Sequence, residues 1–285
     1  MKYKDCDYVL DRKNNFYIVK GYWNFKNILC SRVFAPDPNG ERYNTLLKRN
    51  FRKVLDFGLI TLSKKEVKRI FEPFEFYASN KSLLKGVWAK IALQLEKYVG
   101  EDLGIFGSFL LGFEVKKDVD FVIRGVKNCI KLKKKMQKIR EKLGFTSITK
   151  EHINYQVKKY GAFHNLRKNS FEKMFKNKWS AIQIKPGLLT TIRFIYKEKE
   201  IPENIFENRI VSRIKVAGEV IEDIGSNFCP RYFKIKSKNE IFTIGTYYWV
   251  YQSCVKVGDK VIVEGNLRKN CVITLDGPND GVIIS

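Results

Sequence analysis

Histidine is nearly absent from this chain, with two residues in 285. That shortage argues against a histidine-rich metal centre. Cysteine is sparse and scattered: Cys6, Cys30, Cys129, Cys229, Cys254 and Cys271 stand singly, with no C-x-x-C pair. A zinc site and a disulfide framework are both disfavoured, leaving isolated thiols. No apolar run approaches the roughly 18 residues of a membrane span, and Met1-Lys2-Tyr3-Lys4-Asp5 opens without an apolar signal core. The expectation is a cytoplasmic protein.

Acidic residues are the other shortage. The chain holds 30 Asp and Glu against 54 Lys and Arg, a net charge of +24. Residues 209–285 are nearly balanced, with 11 basic and 8 acidic residues. Residues 1–208 carry 43 against 22, a net of +21. A field of that sign attracts nucleic acid or other polyphosphates. A lysine-rich proteome explains many lysines, but not so lopsided a balance.

What is present reads as three regions. Residues 1–57 suggest short strands at Asp7–Leu10, Asn15–Gly21 and Ile28–Ala35, with a tight turn over Ala35–Gly40. Residues 63–79 read as an amphipathic helix, with Ser63 as N-cap and Glu66 at the capping-box position. A second helix is expected from Asn80 or Ser82 through Tyr98, ended by Gly100 and Gly104. The strand Ile105-Phe106 follows, then a short apolar helix over Phe109–Gly112 and a strand over Val119–Arg124. A lysine-studded helix is expected at Val126–Leu143, with Ile130, Met136 and Ile139 facing the core. Another helix is expected over Lys150–Tyr160. Strands at Ser180–Ile184 and Leu189–Tyr196 flank the turn Lys185-Pro186-Gly187. From about 209 short strands separated by glycine turns indicate a small barrel. There the phrase from Val255 to Leu267, V-x-V-G-D-x-V-x-V-x-G-x-L, resembles the fourth-strand region of an OB-fold.

The chemistry concentrates at Gly107-Ser108 and Asp118-Val119-Asp120. Two carboxylates at i and i+2 of a strand project the same way, so Asp118 and Asp120 are placed to share a Mg²⁺ (or Mn²⁺) ion, which prefers hard oxygen ligands. Gly107 lets backbone approach a phosphate, and Ser108 offers a hydroxyl and an amide at a turn. As ordinary structure, Gly-Ser is a common helix cap and two aspartates make a solvated strand face. Aspartate is depleted in strands, however, and the apolar Phe121-Val122-Ile123 follows at once.

The arrangement apolar-apolar-Gly107-Ser108-x₉-Asp118-Val119-Asp120-Phe121-Val122 resembles the DNA polymerase β-type nucleotidyltransferase superfamily, over roughly residues 80–198. The resemblance implies an α+β fold, with a polymerase β-like nucleotidyltransferase palm between a small N-terminal β region and a C-terminal all-β OB-like barrel. The corresponding divisions are 1–79, 80–198 and 209–285. Pairing with an OB-like module resembles an archaeal branch of such proteins. The implied reaction moves a nucleoside monophosphate from an NTP to a hydroxyl, with Asp118 and Asp120 binding metal and Gly107 and Ser108 holding phosphates. The basic excess points to nucleic acid as acceptor, RNA before DNA, and away from a small molecule such as an antibiotic.

One departure matters. Active members carry a third acid on a later strand, and here those strands read Ser-Ala-Ile-Gln-Ile and Thr-Thr-Ile-Arg-Phe. Gln183 or Thr191 stands at the third-acid position; Glu114 and Glu151 are poorly placed substitutes. The alternative is therefore an RNA- or DNA-binding protein with a degenerate transferase domain. Lys131, Lys134, Lys135 and Lys138 on one helix, and Arg193 on a strand, are the nucleic-acid-binding candidates. Tyr247, Tyr248, Trp249 and Tyr251 offer stacking surface or barrel core. His152 and His164 read as ordinary packing or surface residues.

Overall fold

The computed structural model describes all residues except 1–2, 25, 55–57, 114–117, 147, 161–167, 186–187, 278–279 and 285. In chain order the N-terminal part gives β1 (Tyr8–Asp11), β2 (Phe16–Val19), β3 (Asn27–Pro36), β4 (Arg42–Asn44), β5 (Arg49–Lys53), β6 (Ile60–Ser63) and β7 (Val67–Phe71). Then come α1 (Pro73–Asn80), α2 (Gly86–Val99), β8 (Leu103–Phe106), β9 (Asp120–Arg124), α3 (Val126–Leu143), α4 (Lys150–Tyr160), α5 (Lys168–Asn177), β10 (Ala181–Lys185) and β11 (Leu188–Ile195). The last strands are β12 (Ile210–Glu222), β13 (Arg231–Ser237), β14 (Glu240–Thr246), β15 (Lys260–Arg268), β16 (Val272–Thr274) and β17 (Gly281–Ile284).

The chain divides into two compact units, Met1–Lys131 with Thr190–Ile201, and Leu132–Leu189 with Pro202–Ser285. The first is built on an antiparallel half-barrel in the order β4-β5-β3-β2-β1-β7, with β6 also paired to β3. Its central strands β1 and β2 are buried along their whole length, which requires apolar residues on both faces. One face packs Val9, Tyr17, Val19, Ile28 and Cys30. The other holds an aromatic group in which Phe16 lies 5.4 Å from Phe51, 5.8 Å from Phe71 and 5.6 Å from Phe113. In the same unit β8 runs antiparallel to β9, and β9 runs parallel to β11. Helix α2 buries Ile91, Ala92, Leu95 and Val99, one stripe at helical spacing.

In the second unit α5 buries Phe171, Met174 and Phe175. Its end is tied down by Asn177, whose Nδ2 donates to the Cys254 carbonyl and to Asp259, each at 3.0 Å. Strands β12, β13, β14, β16 and β15 form a closed five-stranded barrel, with the ring completed by the β12–β15 pairing. All its neighbours are antiparallel except β14 and β16, which are parallel.

This architecture overturns the α+β fold with a polymerase β-like palm. Strands hold 40% of the chain and helices 31%, and a half-barrel and a closed barrel organise it; there is no polymerase β palm. The expected C-terminal barrel is present. The N-terminal β region is not small, because it recruits residues read as helix. Ser63 and Glu66 do form a reciprocal capping box, but it opens a single 3₁₀ turn, Lys64–Glu66. Val67–Phe71 then pairs with β1, where burial of Phe71 outweighs local helix preference. The second helix begins at Gly86 rather than Asn80 or Ser82, and Phe109–Gly112 is a turn rather than a helix. Helix α3 has the expected bounds and buries Met136 and Ile139, but Ile130 is 37% exposed. Helix α5 was not anticipated. The Pro186-Gly187 turn, Glu114 and His164 lie outside the described residues. Among the described residues no helix is long and apolar enough to cross a membrane.

Candidate functional site

Gly107 ends β8 with φ +81°, a left-handed conformation that suits glycine. The antiparallel register places Phe106 opposite Asp120, so the Gly107 turn meets the start of β9. A side chain on Gly107 would crowd the Asp120 carboxylate, since a Cβ there would lie 3.2 Å from Oδ2. The turn then closes on itself, with the Phe113 amide donating to the Ser108 carbonyl at 3.0 Å. Ser108 itself is half-buried.

Asp120 is the best-defined member of the site. The parallel pairing of Ile192 with Phe121 sets Thr191 beside it. Its Oδ1 accepts both the Thr191 amide, at 3.0 Å, and the Thr191 hydroxyl, at 2.6 Å. Burial and the neighbouring Asp118 push its pKa up to about 6, against the lowering effect of the Thr191 hydrogen bonds and of Arg193. Asp118 is half-buried and precedes β9 instead of lying within it. The structure thus brings together Gly107, Ser108, Asp118, Asp120, Thr191 and Arg193.

Arg193, two residues beyond Thr191, lays its guanidinium 4.6 Å from the centre of the Phe106 ring. Burial works against its charge, yet Cys6, Tyr8, Asp5 and Asp120 together hold its pKa above the ordinary value. Tyr8 is buried, which raises its pKa, and it takes a backbone hydrogen bond from Gly107. The sequence reading missed the contribution of residues 5–8, because the pairing that carries them to Arg193 and Gly107 spans about a hundred residues or more of chain. The only local signal was a buried-looking strand rich in aspartate.

Other candidates stand elsewhere. Gln183 is engaged within the second unit: its Oε1 accepts the Thr149 amide at 2.7 Å and its Nε2 donates to the Thr149 hydroxyl at 3.3 Å, anchoring the start of α4. Glu151 is exposed on α4, in the second unit. Among the described residues no cluster of three His, Cys, Asp or Glu side chains is arranged to hold a metal. Lys134, Lys135 and Lys138 are exposed on α3, whereas Lys131 donates to the Tyr98 carbonyl at 2.8 Å. Of the barrel aromatics, Tyr251 is core, Tyr247 packs 4.5 Å from Phe206, and Trp249 covers the Lys178 ammonium at 4.8 Å. Tyr247, Tyr248 and Trp249 are half-buried, so of the four only Tyr251 is fully internal.

The donor chemistry at Asp118 and Asp120 fits a hard divalent cation. Two carboxylates are held close enough for one to raise the pKa of the other, and a cation between them relieves that repulsion. With Oδ1 of Asp120 taken by Thr191, Oδ2 is the oxygen facing the Gly107 turn. No protein family matches this chain, and no curated protein matches it.

Proposed function

We propose that the chain binds a nucleoside triphosphate with Mg²⁺ at the Gly107-Ser108 turn and transfers the nucleoside monophosphate to a hydroxyl of a nucleic acid, RNA in the first instance. The observation that carries this reading is the convergence of Gly107, Ser108, Asp118 and Asp120 at one end of the β8–β9 pair. Asp118 and Asp120 would hold the metal, which supplies charge neutralisation at the phosphates when bound. Ser108 offers its hydroxyl to a phosphate oxygen, and Gly107 supplies the turn that brings backbone close. Thr191 fixes the rotamer of Asp120 through two hydrogen bonds, a positioning role. Arg193, beside Asp120, adds a fixed positive charge for the triphosphate. The barrel order, first-second-third-fifth-fourth with the third and fifth strands parallel, is compatible with an OB-fold and in that reading supports a nucleic-acid partner. So does the net charge of +21 on residues 1–208.

A second reading, nucleotide and RNA binding without turnover, is favoured by one observation. Thr191 occupies the strand position next to Asp120 where a third carboxylate would activate the acceptor hydroxyl.

The test is incubation with radiolabelled NTPs, Mg²⁺ and total RNA, beside calorimetric titration of Mg²⁺-NTP. Transfer of label that Asp120→Asn reduces by about a hundredfold or more establishes the first reading. Saturable Mg²⁺-NTP binding without transfer selects the second. Absence of binding as well as transfer defeats both.

A further inference from the structure

Half of the chain's net charge is concentrated in one stretch of the second unit. Residues 132–189 hold 15 Lys and Arg against 3 Asp and Glu, a net of +12 out of +24. The barrel of the same unit, residues 209–285, is nearly balanced at 11 against 8. The field that draws polyanions to this unit therefore comes from its helices rather than its strands.

On α3 some of this charge serves the fold. Lys133 pairs with Asp223, and Arg140 donates through Nη2 to the Trp179 and Ala181 carbonyls, each at 2.6 Å. Lys134, Lys135, Lys138 and Lys142 serve no such end. All four are exposed, and among the described residues none of them makes a hydrogen bond or an ion pair. At 3.6 residues per turn they fall within an arc of about 100° and along about 12 Å of helix axis. The buried Leu132, Met136 and Ile139 lie off that arc, on the side packed into the core. Lys134 and Lys138, and Lys138 and Lys142, are like-charge pairs four residues apart, and Lys135 and Lys138 stand three apart; each pair weakens the helix. A face made only for solvent intersperses acids at those spacings. The single acid of α3, Glu141, accepts the Gln137 Nε2 at 3.0 Å instead.

We propose that this lysine face of α3 docks the phosphate backbone of double-helical nucleic acid. That the duplex belongs to the acceptor rests on the nucleotide-site reading above; the docking does not. A double helix carries one negative charge per about 1.7 Å of its axis, about twice the density of either strand alone. A rigid row of lysines therefore meets more phosphates on a duplex. Lysine is a compact point charge without the guanidinium fork, so its contacts position the backbone and read no sequence. A single strand is held by stacking its bases on aromatic rings as well as by charge, and α3 has no aromatic residue. A lipid surface fits less well. An interfacial helix sinks its apolar face into the membrane, and here Leu132, Met136 and Ile139 are occupied by the core.

The experiment uses the whole chain with a short labelled RNA duplex and with one of its strands alone, affinity being read by fluorescence anisotropy over a range of salt. The variant Lys134→Gln, Lys135→Gln, Lys138→Gln, Lys142→Gln removes four charges and keeps good helix formers. A control removes the same number from exposed positions of the first unit, Lys13→Gln, Lys65→Gln, Lys85→Gln, Lys90→Gln. The α3 variant is expected to bind the duplex at least about tenfold more weakly, with the log–log salt slope shallower by about 3, close to 0.9 per lost phosphate contact. The control is expected to stay within about twofold of the wild type, because salt screens distant charges. The wild type is expected to prefer the duplex to the single strand by about fivefold or more. The α3 variant is also expected to melt no lower than the wild type, since its like-charge pairs are gone. The proposal is overturned if the α3 variant binds the duplex as the wild type does, if the control loses as much affinity, if the wild type prefers the single strand, or if the α3 substitutions abolish binding to phosphatidylserine vesicles and leave the duplex bound. A wild-type chain that binds no Mg²⁺-NTP, yet loses the duplex on the α3 substitutions, defeats the nucleotide-site reading alone and supports the docking.

Discussion

At the scale of single residues, burial decides which charges matter. Asp7 is 4% exposed and accepts the Lys4 amide at 2.8 Å. Burial pushes its pKa up to about 8; the Lys4 amide and charge oppose this, while Glu72 and Asp5 add to it. Because the folded pKa lies above the unfolded value of 3.8, the native state holds the proton longer. Stability from this group is full below the unfolded pKa and falls as pH rises toward about 8. Asp7→Asn stays neutral and keeps an acceptor for Lys4. It is expected to flatten that decline and to exceed the wild type by more than about 1 kcal/mol at pH 9 in urea unfolding; identical pH profiles would show that Asp7 ionises in the fold without cost. The same balance holds at Asp120, where burial and Asp118 raise the pKa and hydrogen bonds from Thr191 and the charge of Arg193 offset only part of that rise. The type and spacing of Asp118 and Asp120 were legible in the sequence. The resemblance pointed to Thr191 as one residue at the third-acid position, but its two hydrogen bonds to Asp120 were not legible, because a parallel pairing about seventy residues apart carries no local signal.

At the scale of elements, short-range rules held where nothing long-range competed. Helix α3 took its expected bounds because seven lysines and a clean apolar stripe leave one face to bury. The capping box at Ser63 was equally legible, but the chain beyond it joins a sheet, and strand pairing with β1 overrode the helix start. The hairpin β4–β5 shows the same dominance of tertiary contact. Asn44 supports it at both ends, donating to Leu111 and accepting the Leu47 amide at 2.9 Å. Asn44→Ala leaves a buried carbonyl without its donor, and a loss of about 2 kcal/mol is expected by chemical denaturation. A change within about 0.5 kcal/mol would show that the hairpin is not held by this residue.

At the scale of the whole molecule, the barrel depends on close backbone approach where strands turn a corner. A Cβ on Gly265 would lie 2.6 Å from the Thr274 carbonyl oxygen and 3.0 Å from a methyl of Leu275. Both neighbours belong to the closed ring or its continuation, so neither moves without opening β15 from β16. Gly265→Val is expected to cost about 1–3 kcal/mol and to lower the melting temperature; an unchanged transition would mean that the ring tolerates a side chain there. The phrase around this glycine was legible in the sequence through its resemblance to an OB-fold strand, which pointed to a barrel. The absence of a polymerase β palm was not readable, because a Gly-Ser turn with paired aspartates specifies a few local torsions and two carboxylates, not the sheet around them. By itself the sequence determined the charge asymmetry, the barrel, the long lysine helix and the spacing of the four candidate residues Gly107, Ser108, Asp118 and Asp120, all properties of composition and short-range periodicity. Tertiary structure alone decided that the N-terminal strands form a half-barrel, that Tyr8, Thr191 and Arg193 surround Asp120, and that an arginine-rich hairpin is fastened beside the Gly107 turn. Those outcomes rest on hydrogen bonds and packing between segments distant in the chain, and burial on both faces of β1 and β2 selects among pairings that local preference leaves equal.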